Sequence, residues 1–145
     1  MPLAGCRDMP GRAVLGVRND TVARRDRIAL RWLRGDATSL VDLGDPSSGN
    51  TDYAVCVYDA AGLEAWAHAP YGERAVKEKA CWKSSGPSAP HTGVDFGDYY
   101  RTPEGMQYLR ARTGAAGRAS VKLKATGRLL PPLPTAPLVP PVTAQ

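Results

Sequence analysis

RIALRWLRG, residues 27–35, alternates apolar and polar side chains, with Ile28, Leu30 and Trp32 on one side and Arg27, Ala29, Arg31 and Leu33 on the other. A period of two sets successive side chains on opposite faces of an extended strand, so one face is buried and the other wetted. The same alternation recurs in DYAVCVYD (52–59), LEAWAHA (63–69), MQYLRARTG (106–114) and ASVKLKATG (119–127), with Gly, Pro and Asp cutting the runs apart. Together these runs predict an all-β fold, an antiparallel β-sandwich or open barrel of about seven to nine short strands.

Working outward from 27–35, residues 13–18 read as a first strand and 38–46 as an edge strand stopped by Pro46, which cannot donate to a ladder. Residues 53–58 and 63–69 form a hairpin across a short turn. From 70 to 79 the alternation fails and charge rises, which suggests a surface loop or a single helical turn. Residues 80–86 bring the Cys81-Trp82 pair back to the body, a short strand follows at 94–96, and then a hairpin of 106–112 with 119–125. Residues 128–141 are rich in Leu and Pro and read as an extended, polyproline-like segment that packs across a sheet edge and ends in an edge strand at 142–145. The expected organisation is an N-terminal tail (1–12) and one domain (13–145), long enough to bury a core without a metal.

The chain carries 19 Lys and Arg against 14 Asp and Glu, a formal charge of +5. An acidic partner is therefore worth asking about, but along the sequence the basic residues form no single tract. Their closest approach is RRDRIALRWLR (24–34), where Arg27 and Arg31 share a strand face. A nucleic-acid binder is expected to show a basic stripe interleaved with stacking aromatics, and the linear sequence shows neither, so no nucleic acid is expected. No run reaches the roughly 20 apolar residues of a membrane span, and the N-terminus lacks the apolar stretch of a secretory signal. Leu3-Ala4-Gly5-Cys6 matches a bacterial lipobox, yet the basic and apolar segment that such a signal needs upstream has no room after Met1, which makes coincidence the better reading.

Cys6, Cys56 and Cys81 are an odd count without the close spacing of a zinc site. In an exported chain, one disulfide and one free thiol is the simplest outcome. A Cys56–Cys81 bond would close a loop of 26 residues and contribute about 3.5 kcal/mol in the chain-entropy model. In a reducing compartment Cys56 is instead a small buried hydrophobe.

No motif commits the chain to a chemistry, and neither a catalytic residue, a metal site nor a cofactor is expected. His68 shares a strand face with Glu64 and Trp66, and His91 sits in a Pro/Ser/Gly loop; a nucleophilic site needs one of them beside a nucleophile and an orienting group. Asp36, Asp42, Asp45 and Asp52 lack the order of an EF-hand and suit turns that hydrogen-bond their own backbone. The acid pairs Asp95/Asp98 and Glu73/Glu78 lie on loops, where spacing establishes no separation between carboxylates. The aromatics carry the one ligand hypothesis. Trp66, Trp82, Tyr99 and Tyr100 lie on late strands and loops, where exposed rings would stack on sugars, although Trp82 beside Cys81 also reads as packing. Trp32, among Ile28 and Leu30, reads as core.

The blocks DRIALRWLRGDATSLVDLGDP, DYAVCVYD, ACWK, TPEGMQYLRARTGAAGRASVKLKATG and LPPLP…VTAQ together resemble a β-rich domain of large exported proteins of myxobacteria and related bacteria, a family with no assigned activity. The resemblance runs from about Cys6 to Gln145. It implies export, hence a secreted or envelope location, and an accessory β-domain that acts as a non-catalytic structural or interaction module, its partner a protein or a cell-surface glycan. A carbohydrate- or cell-surface-binding sandwich is the alternative. Members often place Gly-Thr-Cys before the Cys-Trp-Lys; YGERAVKEKACWK (71–83) has no such cysteine, which puts the pairing of Cys56 and Cys81 in doubt.

Overall fold

The computed structural model describes residues 12–86 and 90–145, which are mostly extended. Arg12–Arg18 (β1) and Arg27–Gly35 (β2) pair antiparallel around a 3-10 turn at Ala23–Arg25. A short helix, Leu40–Leu43 (α1), precedes the hairpin of Tyr53–Asp59 (β3) and Gly62–Ala69 (β4). Ala75–Val76 (β5) and Lys79–Ala80 (β6) form a small ribbon. Trp82–Ser85 (β7), Gly93–Gly97 (β8), Met106–Arg112 (β9) and Ala119–Thr126 (β10) follow, and Thr143–Ala144 (β11) comes last.

The strands assemble into a six-stranded antiparallel sheet in the order β1-β2-β10-β9-β8-β7, a three-stranded sheet β11-β3-β4, and the β5-β6 ribbon. No sheet closes into a barrel, and the two larger ones share one core. Ile28 and Leu30 (β2), Leu123 and Ala125 (β10), Leu109 and Ala111 (β9), and Val94 and Phe96 (β8) are buried in one cluster with Val55 and Val57 (β3) and Ala65, Ala67 and Ala69 (β4). Each large aliphatic side chain taken out of water here stabilises the fold by roughly 1.5–3 kcal/mol. The alanines of β4 are the reason that strand lies close against β2 and β9, since a row of methyl groups leaves space for the longer side chains opposite. Trp32, expected in the core, is half-buried at its margin.

Two local expectations fail. The stretch 38–46 is not an edge strand; only Thr38 makes a bridge, to Gly114, and the chain then turns into α1. Ser39 and Asp42 form a capping box, in which the Ser39 hydroxyl accepts from the Asp42 amide at 3.2 Å and Asp42 Oδ2 accepts from the Ser39 amide at 2.8 Å. That reciprocal pair satisfies two amides a helix start otherwise leaves open. Gly44, at φ +69°, then ends the helix, and Tyr53 fastens it to β3 by donating to the Leu43 carbonyl at 2.6 Å. Burial pushes the Tyr53 hydroxyl up to about 12, so it stays a donor. A Ser39→Ala protein is expected to lose about 1 kcal/mol, read as a lower urea midpoint, with Ser39→Asn retaining most of it; an unchanged alanine midpoint would deny the cap any role.

The second failure is at 70–79, where β5, the start of β6 and a two-residue turn of Lys77 and Glu78, at φ 51° and 62°, stand in place of a loop or helical turn. Two left-handed residues in succession match the twist of a tight hairpin, a geometry normally written with Asn or Gly. Lys-Glu carries no such signature. These two-residue strands, with β11, raise the number of strands among the described residues above the expected range.

The Leu/Pro-rich tail does pack across a sheet edge. Leu130 and Leu133 are buried, the Asn19 side-chain amide donates to the Leu133 carbonyl at 2.9 Å, and Asp59 accepts from the Val139 amide at 2.9 Å. β11 then pairs with β3, with Cys56 and Gln145 exchanging both backbone bonds at 2.9 Å. The Cys56–Tyr58 part of the β3 edge is thereby covered against pairing with another chain.

Candidate functional site

The outward side chains of the six-stranded sheet form an organised polar face. Because β2 buries Ile28 and Leu30, it must turn Arg27 and Arg31 outward, and the same parity applies to each neighbour. Register then aligns one row across the sheet. Lys83 (β7) stands opposite Asp95 (β8), Asp95 opposite Arg110 (β9), Arg110 opposite Lys122 (β10), and Lys122 opposite Arg31 (β2). Val14 of β1 completes the row. With neighbouring strands 4.7–4.9 Å apart, it extends about 24 Å.

Adjacent rows add Lys124 beside Tyr108, Arg112 beside Ser120, and Arg27 beside Arg18, while Arg12 faces outward at the start of β1. Asp95 is the one acid at an outward position of these six strands among the described residues. Its Oδ1 accepts from Arg112 at 2.8 Å and lies 4.0 Å from Arg110. Arg110 also stacks its guanidinium 5.7 Å from the Tyr108 ring centre. Like charges set side by side repel, so a face of this kind is held at a cost that a bound anion relieves.

At the β7 end the face runs into a groove of about 340 Å³ between it and the β5–β6 ribbon, lined by Lys79, Lys83, Asp95, Arg110, Tyr99 and Tyr108 among others. Tyr99 and Tyr100 meet edge to face at 5.4 Å, and both are exposed. Lys77, at the ribbon's turn, holds its ammonium 4.3 Å from the centre of the Tyr99 ring and 5.6 Å from that of Tyr100. The tyrosines are positioned from beneath by Asp98, whose side chain is fully enclosed. Its Oδ1 accepts from the amides of Tyr100 (2.7 Å) and Arg101 (3.0 Å), and its Oδ2 accepts from the amide and hydroxyl of Thr102.

The four aromatic residues singled out in the sequence do not converge. Tyr99 lines the groove and Tyr100 stands against Tyr99. Trp82, 4% exposed, is a core residue packed on Phe96 (4.9 Å between ring centres) and Tyr53 (5.5 Å), with its indole N–H donating to the Pro70 carbonyl at 2.7 Å. As a sugar-stacking surface it is ruled out. Trp66 is half-buried on the outward side of β4, opposite Cys56.

The expected Cys56–Cys81 disulfide is likewise absent, and both thiols are free. Val55 and Val57 point into the core, so the intervening Cys56 points away from it, whereas Cys81 is buried within. Two thiols on opposite sides of a sheet cannot approach bonding distance without moving backbone. Burial raises the Cys81 thiol above its ordinary pKa and the Asp98 carboxylate adds to this, which keeps it protonated and inert. Cys6 lies outside the described residues.

Several of the polar residues weighed for other chemistry are occupied locally. Asp42 caps α1, and Asp45 accepts from the amides and hydroxyls of Ser47 and Ser48, which hold its carboxyl well below the usual range. Asp52 accepts from the Tyr71 amide at 2.6 Å and lies 3.5 Å from His68. His91 shares a hollow of about 240 Å³ with Asp45, Ser47 and Ser84, but its Nδ1 has no hydrogen-bond partner and the Asp45 carboxylate is taken by its own turn. No helix of the described residues is long and apolar enough to cross a membrane.

The basic face was missed because its members are scattered along the chain from Arg12 to Lys124. The available signal was strand parity, which already put Arg27 and Arg31 on one side, and applied to 106–112 and 119–125 it also pairs Arg110 with Arg112 and Lys122 with Lys124. Comparison with known protein families, curated proteins and solved structures finds no match to this chain.

Proposed function

We propose that this chain is a non-catalytic interaction module of an exported or envelope-associated bacterial protein, and that the outward face of its six-stranded sheet is the contact surface. The observation that carries the reading is the cross-strand row Lys83, Arg110, Lys122 and Arg31, with Asp95 its sole acid. A sheet holding cations in fixed register suits an extended anionic partner, which meets several charges at once, and long-range attraction speeds encounter. The resemblance to β-rich domains of exported proteins supports the location. The exposed Tyr99–Tyr100 pair favours a cell-surface glycan as the partner over a protein or a nucleic acid.

The test is titration calorimetry with dextran sulfate against neutral dextran. Binding to the sulfated polymer is expected to weaken about tenfold or more between about 50 mM and about 300 mM salt. The triple variant Arg31→Glu/Arg110→Glu/Lys122→Glu is expected to abolish it. Arg24→Glu/Arg25→Glu/Arg128→Glu, which makes the same change in net charge at exposed positions in turns, is expected to retain most binding. Equal loss in both triple variants would mean that only net charge is sensed, and the face would lose its claim.

A further inference from the structure

We infer that the groove between the β5–β6 ribbon and the outward face binds a polyuronate, a polysaccharide whose sugars carry carboxylates, and that the row of cations guides the rest of the polymer; this rests on the proposed use of that face. Three kinds of group meet in the groove. Tyr99 and Tyr108 supply aromatic surface, Lys79, Lys83 and Arg110 supply cations, and Asp95 supplies an anionic acceptor. A uronate ring has a counterpart to each. Its C–H face packs on an aromatic ring, its carboxylate is planar and matches the Arg110 fork, and its hydroxyls donate to a carboxylate.

Arg110 is accessible to such a ligand, with 63% of its side chain exposed. The groove, about 340 Å³, lies at the small end of ligand sites, roughly 300–1,000 Å³, so it grips one short stretch of polymer. The remaining charges of the chain then fall along the row, which leaves the groove through Asp95 and Arg110.

The same groups fit a nucleic acid poorly. A DNA backbone presents phosphates without hydroxyl donors, so Asp95 would meet like charge with no hydrogen bond to offset it. A neutral glycan would leave the lysines and Arg110 unused.

The experiment is calorimetric titration of the intact chain with hexagalacturonate, maltohexaose and a thymidine oligonucleotide of matched charge. Hexagalacturonate is expected to bind one to one and maltohexaose not at all. Tyr99→Ala, at an exposed position, is expected to weaken hexagalacturonate by about tenfold. Asp95→Asn is expected to weaken the uronate and strengthen the oligonucleotide. Hexagalacturonate binding that ignores Tyr99→Ala, or that the oligonucleotide equals or exceeds, overturns the groove assignment; continued loss of dextran sulfate binding in the sheet triple variant would then leave the proposed face standing. Loss of that dextran sulfate dependence as well would remove both. Maltohexaose binding as tightly as the uronate would overturn the role given to charge.

Discussion

Trp82→Ala is expected to destabilise the domain by about 4 kcal/mol, within the range for truncating a large core aromatic. The indole fills the space between Tyr53 of the three-stranded sheet and Phe96 of the six-stranded one, so its removal opens a cavity where the two layers meet. It also strands the Pro70 carbonyl, which takes the indole N–H at 2.7 Å. Trp82→Phe retains most of the packing and loses that bond, for about 1–2 kcal/mol. Urea unfolding followed by far-ultraviolet circular dichroism reads both values as shifts in midpoint at constant slope. Tyr99→Ala, by contrast, should change the stability by less than about 0.5 kcal/mol. If Trp82→Ala proved as mild as Tyr99→Ala, the indole would not be the wedge between the sheets, and a ligand role for it would have to be reconsidered.

Asp98→Ala is expected to cost about 3 kcal/mol or more, because a carboxylate with no solvent exposure serves three backbone amides and one hydroxyl. Arg74, 3.9 Å from Oδ2, would lose its counter-charge as well. Asp98→Asn keeps the shape but only one acceptor oxygen, and should fall between the wild type and the alanine variant. Under conditions where Asp98→Asn remains folded, it is expected to weaken hexagalacturonate binding, since Tyr99 and Tyr100 sit on the loop that Asp98 organises. A variant that melts early yet binds normally would separate loop order from the groove. A variant that melts like the wild type would show that water can replace the carboxylate.

Much of the architecture was legible in the chain because its evidence is local. Alternation in 27–35, 106–112 and 119–125 is a property of each stretch alone, and the observed strands match these limits to within a residue. The errors fall where a local rule was outweighed. In 38–46 the apolar pattern lost to the Ser39–Asp42 capping box, which itself was readable from the spacing of the two residues. At Lys77-Glu78 a left-handed turn formed without Asn or Gly, so composition had nothing to show. The disulfide expectation counted loop length but ignored parity, which sends Cys56 and the buried Val55 and Val57 to opposite faces.

The groove and the basic face depend on information of a different kind. Each strand's own residues decide which of its side chains are wetted, since a period of two needs no partner. Which strands lie side by side is decided by hydrogen bonding and shared burial between distant segments, as when Arg31 comes to stand beside Lys122 and Lys122 beside Arg110. The chain thus specifies outward cations one strand at a time, and only pairing across the sheet turns them into a surface, because charge acts through space and takes no account of sequence separation.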